Sequence, residues 1–563
     1  MQGEAWDRSV DVLVVGSGAG GMLAALTAAH QGADVLLVEK SDEYGGTSAT
    51  SGGGIWIPNS HHAAAAGQND SAQEAFTYVR ALSASNVPDA NIRAYIDWAP
   101  RMLEWLERHT RVTYMALPYP DYHAELPGGK AAGFRTHLPG ELDGRLLGSD
   151  MNQMRTASPA ASLFGLINWR FTETYALLFR PHGWWITLVK MFLRYAGDIG
   201  QRLRSRKDRF LTLGTTLAGG LRLALKERGV PLALRSPLVE LLTDSGAVTG
   251  ALVLLDGRPQ RIQARRGVIL AAGGFERNAE MRQRYLQQKE PRLSGSQINN
   301  TGDTIRAAQA IGAGVMNMHS TWAGPVFSVP GEERGRLSTI ERALPGCIMV
   351  HRGGRRYLNE AASYHIVGQK MLAMDRPDAS TIPSWVIFDH RFRHKYPMGP
   401  VVPLIPDWLQ SRGVRKILKK ASTIEGLASA IGAPPEVLAL TVAQFNADAR
   451  TGVDTEFGRG SGAYDRMYGD ASVTPNPCLA PIVQPPFYAF PIFPGDIGTN
   501  GGLMTDEHAR VLTSEGKVIP GLYATGNNAA SVMGDSYPGA GATLGPAMTF
   551  GHVAALHATG HAT

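Results

Sequence analysis

Residues Val10–Lys40 read VDVLVVGSGAGGMLAALTAAHQGADVLLVEK. Six apolar or short residues, VDVLVV, predict a buried strand, and the alanine-rich run Met22–Gln31 predicts a helix. Between them Gly16, Gly18 and Gly21 fit GxGxxG, with Ala19 and Gly20 inside the turn. A second predicted strand, Ala33–Val38, ends in Glu39 and Lys40, with Glu39 18 residues beyond Gly21. Glycines in such a turn let backbone N–H groups approach a pyrophosphate, and the acid at this distance suits a ribose hydroxyl. The strand, turn, helix and acid together indicate a dinucleotide site in a Rossmann-like α/β domain. They do not choose between NAD and FAD.

The flanking sequence extends that site. Tyr44–Pro58, YGGTSATSGGGIWIP, brings Gly46, Thr47, Ser48, Ser51, Gly53 and Gly54 into a chain able to lie along a large planar ligand. Residues 232–274 return to strands, with Val239 in the first and a buried run, Gly267–Ala272, that ends at Ala272-Gly273. Asn300-Thr301-Gly302-Asp303 is expected to open a helix with Asn300 or Thr301 as its cap and Asp303 in its first turn. Gly521–Phe550 reads as a strand ending at Gly526-Asn527, a glycine-rich turn, and a helix entered through Leu544 and Pro546. Tyr537 and Gly541 precede that helix and offer a phenol and a backbone N–H, donors suited to a carbonyl oxygen. The dinucleotide domain is therefore discontinuous: 8–318, then 487–563. A mixed α+β catalytic domain covers 319–486.

At 563 residues the chain exceeds what one core serves, and its 65 glycines exceed the usual ~7%. Two distant cysteines, Cys347 and Cys478, leave no zinc, iron–sulfur or disulfide framework, so no metal is expected and a reducing compartment is favoured. The N-terminal segment carries no secretory pattern and no run of 18 apolar residues occurs, which suggests a cytoplasmic protein. The net charge is +6, and Ala161–Phe210 alone holds nine Lys/Arg against three Asp/Glu. This helical, basic and aromatic stretch lies in a predicted insertion at about 150–225. Trp169, Trp184 and Trp185 beside Arg202, Arg204, Arg206, Lys207 and Arg209 suit peripheral contact with the inner face of a membrane. A hairpin packed on protein is the alternative, and nothing matches a nucleic-acid reader.

Three aromatic side chains in Pro118–Pro127, PYPDYHAELP, read from spacing alone as a surface turn. In RRYLNEAASY, Tyr357 and Tyr364 stand seven apart, on one side if helical.

The motifs GSGAGG, VEK, GGTSATSGG, GVILAAGGFE and GLYATGN resemble the succinate dehydrogenase and fumarate reductase flavoproteins. IGTNGGLMTDEHARVL, SYPGAG, PDY and NEAASY are more similar to the 3-ketosteroid Δ1-dehydrogenases, over most of the chain outside about 150–225. The resemblance implies noncovalent FAD and a 3-ketosteroid substrate, while the sequence leaves the electron acceptor open between a quinone and a soluble carrier. It implies Tyr364 as the base, Tyr122 as its support, and Tyr537 with Gly541 as the grip on the C3 carbonyl. The aromatic and basic insertion suggests substrates such as cholest-4-en-3-one, dissolved in the membrane. A 4-ene-forming (5α) dehydrogenase and a fumarate-reductase-like enzyme are the rivals. Phe550–His552 reads FGH where fumarate reductases have FGR, which counts against dicarboxylate chemistry.

Overall fold

The computed structural model describes residues 5–83, 86–159, 161–286, 288 and 290–561. Residues 1–4 of the N-terminal reading and the last two residues of the closing domain lie outside them.

Arg258–Leu270 is the spine of the first sheet. One edge pairs in parallel with Arg8–Val15, which in turn carries Val35–Val38 and Leu232–Ala233. The other edge is shared: its first half pairs antiparallel with Ala247–Leu255, its last residues in parallel with Val518–Ala524. The closing strand thus joins a sheet begun some 500 residues earlier. Period-two alternation then sorts the side chains. Val12, Val14, Val35 and Leu37 face a core with the helices Ala19–His30, Leu213–Glu227 and Leu544–Ala558. Val10, Leu13, Val15, Leu36 and Val38 face the opposite core with Ile305 and Ala308 of Asp303–Ala310. Each such aliphatic side chain, fully buried, stabilises the fold by about 1.5–3 kcal/mol.

A second sheet has the order Arg336–Leu337, Thr321–Phe327, Phe487–Thr499, Ser384–Phe388, Cys347–Val350, with Lys419–Ala421 also on Phe487–Thr499. Cys347 and Met349 face one core, Ile348 and Val350 another. Phe487–Thr499 therefore belongs to this sheet, and the return to the first domain comes after residue 499, not at 486 as the sequence suggested. Its prolines and glycines disguised a strand that neighbours protect on both edges.

The insertion is also shorter than expected. Leu213–Glu227 buries Leu217, Leu221 and Leu225 in the first core, so it is a helix of the dinucleotide domain. Phe171–Phe179 and Trp184–Gly197 form the helical insertion proper. Leu178 sits in a core of the second domain, and Arg180 donates to the carbonyls of His394 and Lys395. Part of the basic cluster is spent internally: Arg209 pairs with Asp198, and Lys207 Nζ lies 3.0 Å from Glu43. Arg204 and Arg206 stay exposed, as do Tyr175, Trp185, Ile186, Val189, Phe192 and Leu193. No described helix is long and apolar enough to cross a membrane.

Candidate active site

A cavity of about 490 Å³ runs from the glycine turn to a group of tyrosines. At its first end Gly16 holds φ +106°, and a Cβ there would lie 2.5 Å from the Ala271 carbonyl, so only glycine lets the turn close on the neighbouring strand. Helix Ala19–His30 starts here with no acidic residue in its first turn. Ser48 Oγ accepts the Ala19 N–H at 3.0 Å, while among the described residues the N–H groups of Gly20 and Gly21 have no acceptor. Unpaired donors at a helix start suit a pyrophosphate. Glu39 is fixed by Ser17 N–H (3.0 Å) and Oγ–H (2.7 Å) and by Ser41 N–H (2.9 Å), which leaves lone pairs for a ribose. Lys40 pairs with Asp303 and donates to Thr301 Oγ1 at 2.6 Å. These residues fit a bound FAD, the orphan donors being the strongest sign.

Gly46, Thr47, Ser48, Ser51, Gly53, Gly54, Ala272, Gly273, Asn300, Gly526, Asn527 and Leu544 also line the cavity. Two expected residues do not. Gly21 faces the Gly16 carbonyl, where a Cβ would come within 2.0 Å, so its contribution is helix-to-turn packing. Val239 is 50% exposed, and Leu238 beside it is on the wall, since alternate strand residues face opposite sides. Gly302, at φ +70°, caps the helix Asp303–Ala310 without a side-chain bond, in place of the expected Asn300 or Thr301. Asn300 instead donates to Thr47 Oγ1 (3.0 Å) and Glu276 Oε1 (2.6 Å), and so stitches two wall segments together.

At the other end Tyr122, Tyr364 and Tyr537 form one aromatic cluster. Ring centroids are 5.6 Å apart for Tyr122–Tyr364, 5.3 Å for Tyr122–Tyr537 and 5.4 Å for Tyr364–Tyr537. Each comes from a separately braced element. Tyr364 is the first residue of the helix Tyr364–Ala373, capped by Ser363, so Tyr357 is not on that helix and bonds Ser384 Oγ instead. The preceding NEAAS is held because Glu360 accepts from Arg356, Arg459 and the Met349 N–H inside the second domain. Tyr122 is buried: Asp121 beside it, 1% exposed, accepts from Trp56 Nε1 (2.8 Å), Arg135 Nη1 (2.9 Å) and Lys130 N–H (3.0 Å). The expected surface turn is thus an interior one. Pro538 O accepts the Tyr122 N–H (2.9 Å) and the Tyr78 O–H (2.7 Å), which ties this turn to the one bearing Tyr537.

Gly541 has φ +99°, and a Cβ would fall 2.4–2.6 Å from the Ile55 backbone. Its N–H has no acceptor among the described residues, and Gly541 lines the cavity, as Tyr537 does. Tyr537, with its phenol, and Gly541 therefore belong to the wall of one cavity.

Burial pushes the Tyr364 phenol well above the ordinary tyrosine range; nearby Tyr537 adds to this, and hydrogen bonding toward Tyr122 opposes it. Burial likewise raises Tyr537, against hydrogen bonding toward Tyr364 and Thr543. Sequence reasoning missed the residues behind the cluster. Burial raises Tyr464, whose ring is 4.8 Å from Tyr122, and the Arg342 guanidinium is the chief opposing influence. Nothing in RALPG marks Arg342 as buried. His365 is held neutral, its pKa lowered by burial to about 4, with Nε2 donating to Asp535 O at 2.9 Å. His552, at the position contrasted with the fumarate-reductase arginine, bonds Thr27 Oγ1 at 2.9 Å and is not on the cavity wall.

Residues 11–544 match the FAD binding domain family model. The chain is 40% identical to a 3-oxosteroid 1-dehydrogenase of Mycobacterium tuberculosis, over 98% of either chain. It is 37% identical to a 4-oxocyclohex-2-ene-1-carboxylate 5-dehydrogenase of Sinomonas cyclohexanicum, covering 96% of this chain and 92% of that one. Among solved structures, the 3-ketosteroid Δ1-dehydrogenase of Sterolibacterium denitrificans, in complex with 1,4-androstadiene-3,17-dione, superposes with a TM-score of 0.94 at 45% identity, covering 98% of this chain and 100% of that one. Fold, glycine turn, tyrosine cluster and these likenesses agree: the chain belongs to the FAD-dependent 3-ketosteroid Δ1-dehydrogenases.

Proposed function

We propose that the chain 1,2-dehydrogenates 3-ketosteroids, with Tyr364 as base and Tyr537 and Gly541 as the carbonyl grip. The observation that carries this is that Tyr537 and Gly541, whose N–H has no acceptor among the described residues, line the same cavity as the glycine turn. A steroid C3 oxygen placed between those donors acquires negative charge as C2 loses its proton, and each donor in such a site stabilises the developing oxyanion by ~3–4 kcal/mol. Tyr364 takes the C2 proton. FAD, which the glycine turn and Glu39 would hold, would supply the hydride acceptor for C1, so that loss of H⁺ from C2 and H⁻ from C1 would leave a C1–C2 double bond. Tyr122 supports the phenolate form of Tyr364 by hydrogen bonding, and the Arg342 charge favours anionic character in the adjoining tyrosines.

The wall argues against a carboxylate-bearing ring as substrate. Among the described residues its one cation is Lys40, already paired with Asp303. Product analysis on a 5α-saturated 3-ketosteroid tests the regiochemistry. A 1-ene product supports the reading, and a 4-ene product replaces it with the alternative desaturation.

The substrate's source follows from the insertion. Phe171 is both 43% exposed and on the cavity wall, with Trp169 and Thr174. The apolar surface of Trp185, Ile186, Val189 and Leu193, with the exposed Arg204 and Arg206, suits contact with an anionic bilayer, from which an insoluble steroid such as cholest-4-en-3-one would enter. Flotation with phosphatidylserine vesicles is expected to carry the native chain and not a Trp185→Glu/Leu193→Glu variant; equal flotation of both would overturn the assignment.

A further inference from the structure

Outside the cavity, three metal-ligating side chains meet on the dinucleotide domain. His61 and His62 open the short helix His61–Ala65, and Glu107 lies in the last turn of Asp89–His109. Their ligand atoms lie within 4.8 Å of one another. His61 Nε2 is 2.9 Å from Glu107 Oε2, and His62 Nε2 is 2.9 and 3.1 Å from its two oxygens.

We propose that His61, His62 and Glu107 form a site for a divalent cation of borderline softness, of which Zn²⁺ is the representative. Two imidazole nitrogens with one carboxylate are a zinc donor set that leaves a fourth position to water. At zinc bond lengths near 2.0–2.1 Å, tetrahedral ligand atoms stand about 3.3 Å apart. The observed histidine–carboxylate separations need to open by only a few tenths of an ångström. All three side chains are part-exposed, which gives an ion and its water a path in.

Two further features fit. A carboxylate near a helix C-terminus faces the negative end of the helix dipole, so Glu107 sits where a cation is favoured. Glu107 is also pre-positioned, since Oε1 accepts the Tyr114 N–H at 2.8 Å while Oε2 faces both imidazoles. The nearby His137 is not a ligand: Nδ1 donates to Arg135 O and Nε2 accepts from Ser60 Oγ. A bound ion would join the helix His61–Ala65 to the long helix and to strand Tyr114–Ala116. That strand shares a three-stranded sheet with Ile55–Trp56, the strand behind Gly541.

The test is calorimetric titration of the FAD-loaded full chain with Zn²⁺ after chelator treatment, repeated with His62→Gln and Glu107→Gln. One equivalent should bind to the native chain, and each substitution should weaken binding at least tenfold while FAD content and metal-free turnover stay unchanged. Co²⁺ should give ligand-field absorption that His62→Gln removes, a signature that two simple histidine–carboxylate ion pairs would lack. No saturable binding, or equal binding by native chain and variants, would overturn the site.

Discussion

Replacing Tyr537 with phenylalanine removes one oxygen and leaves the ring. That ring is 2% exposed and held by Trp322 (centroids 4.9 Å apart), Tyr122 (5.3 Å), Tyr364 (5.4 Å) and His365 (5.7 Å), contacts phenylalanine keeps. The lost hydroxyl interacts with Tyr364 and Thr543, so the stability cost is that of a hydrogen bond, about 0.5–1.5 kcal/mol. In the transition state the loss is larger, because the Gly541 N–H is left alone to hold the enolate oxygen. Deleting one donor of a two-donor oxyanion site lowers kcat about 10²–10³-fold, or about 2.7–4 kcal/mol. The neutral ground-state carbonyl loses only an ordinary hydrogen bond, so KM should rise less than about tenfold. Steady-state turnover with an artificial acceptor, paired with the flavin absorbance of the purified variant, reads both quantities. A kcat within tenfold of native, with FAD retained and chemistry rate-limiting, would refute the carbonyl grip.

Tyr364→Phe should abolish turnover and leave bound FAD intact, as measured by the same assay and spectrum. Because the Tyr364 pKa lies well above the ordinary tyrosine range, its phenolate fraction grows with pH throughout the working range, so kcat should climb from pH 6 to pH 10 without levelling. A plateau near neutrality, with chemistry limiting, would point to another base. Asp121→Ala strands Arg135 and the Trp56 N–H in the interior and should destabilise the fold by about 3 kcal/mol, read as a lower denaturant midpoint; the Arg135–Asp70 pair holds the loss to the low end for a broken buried pair.

What the sequence revealed divides by distance along the chain. The glycine turn, its strand and its helix are local patterns, and they appear where periodicity placed them, over Arg8–Val38. The sharing of one strand edge by Ala247–Leu255 and Val518–Ala524 leaves no local mark, because parallel pairing between distant segments is set by packing. The same cause moved the second boundary past residue 499 and turned Leu213–Glu227 from insertion into core. Polar residues misled for a different reason. Asp121 and Arg135 look like surface residues and are interior because each pairs with the other and with further partners, Trp56 and Lys130 for the acid and Asp70 for the base, a condition that composition does not display. The three tyrosines could be singled out by resemblance alone, since any one of 17 could equally be a buried ring with a satisfied hydroxyl.

The most direct measurement is anaerobic mixing of the FAD-loaded chain with a 4-ene-3-ketosteroid. The flavin's visible absorbance should bleach as one equivalent of 1,4-diene-3-ketone forms, and in Tyr364→Phe the absorbance should persist. An unbleached native flavin, or bleaching that survives loss of the Tyr364 hydroxyl, would contradict the account.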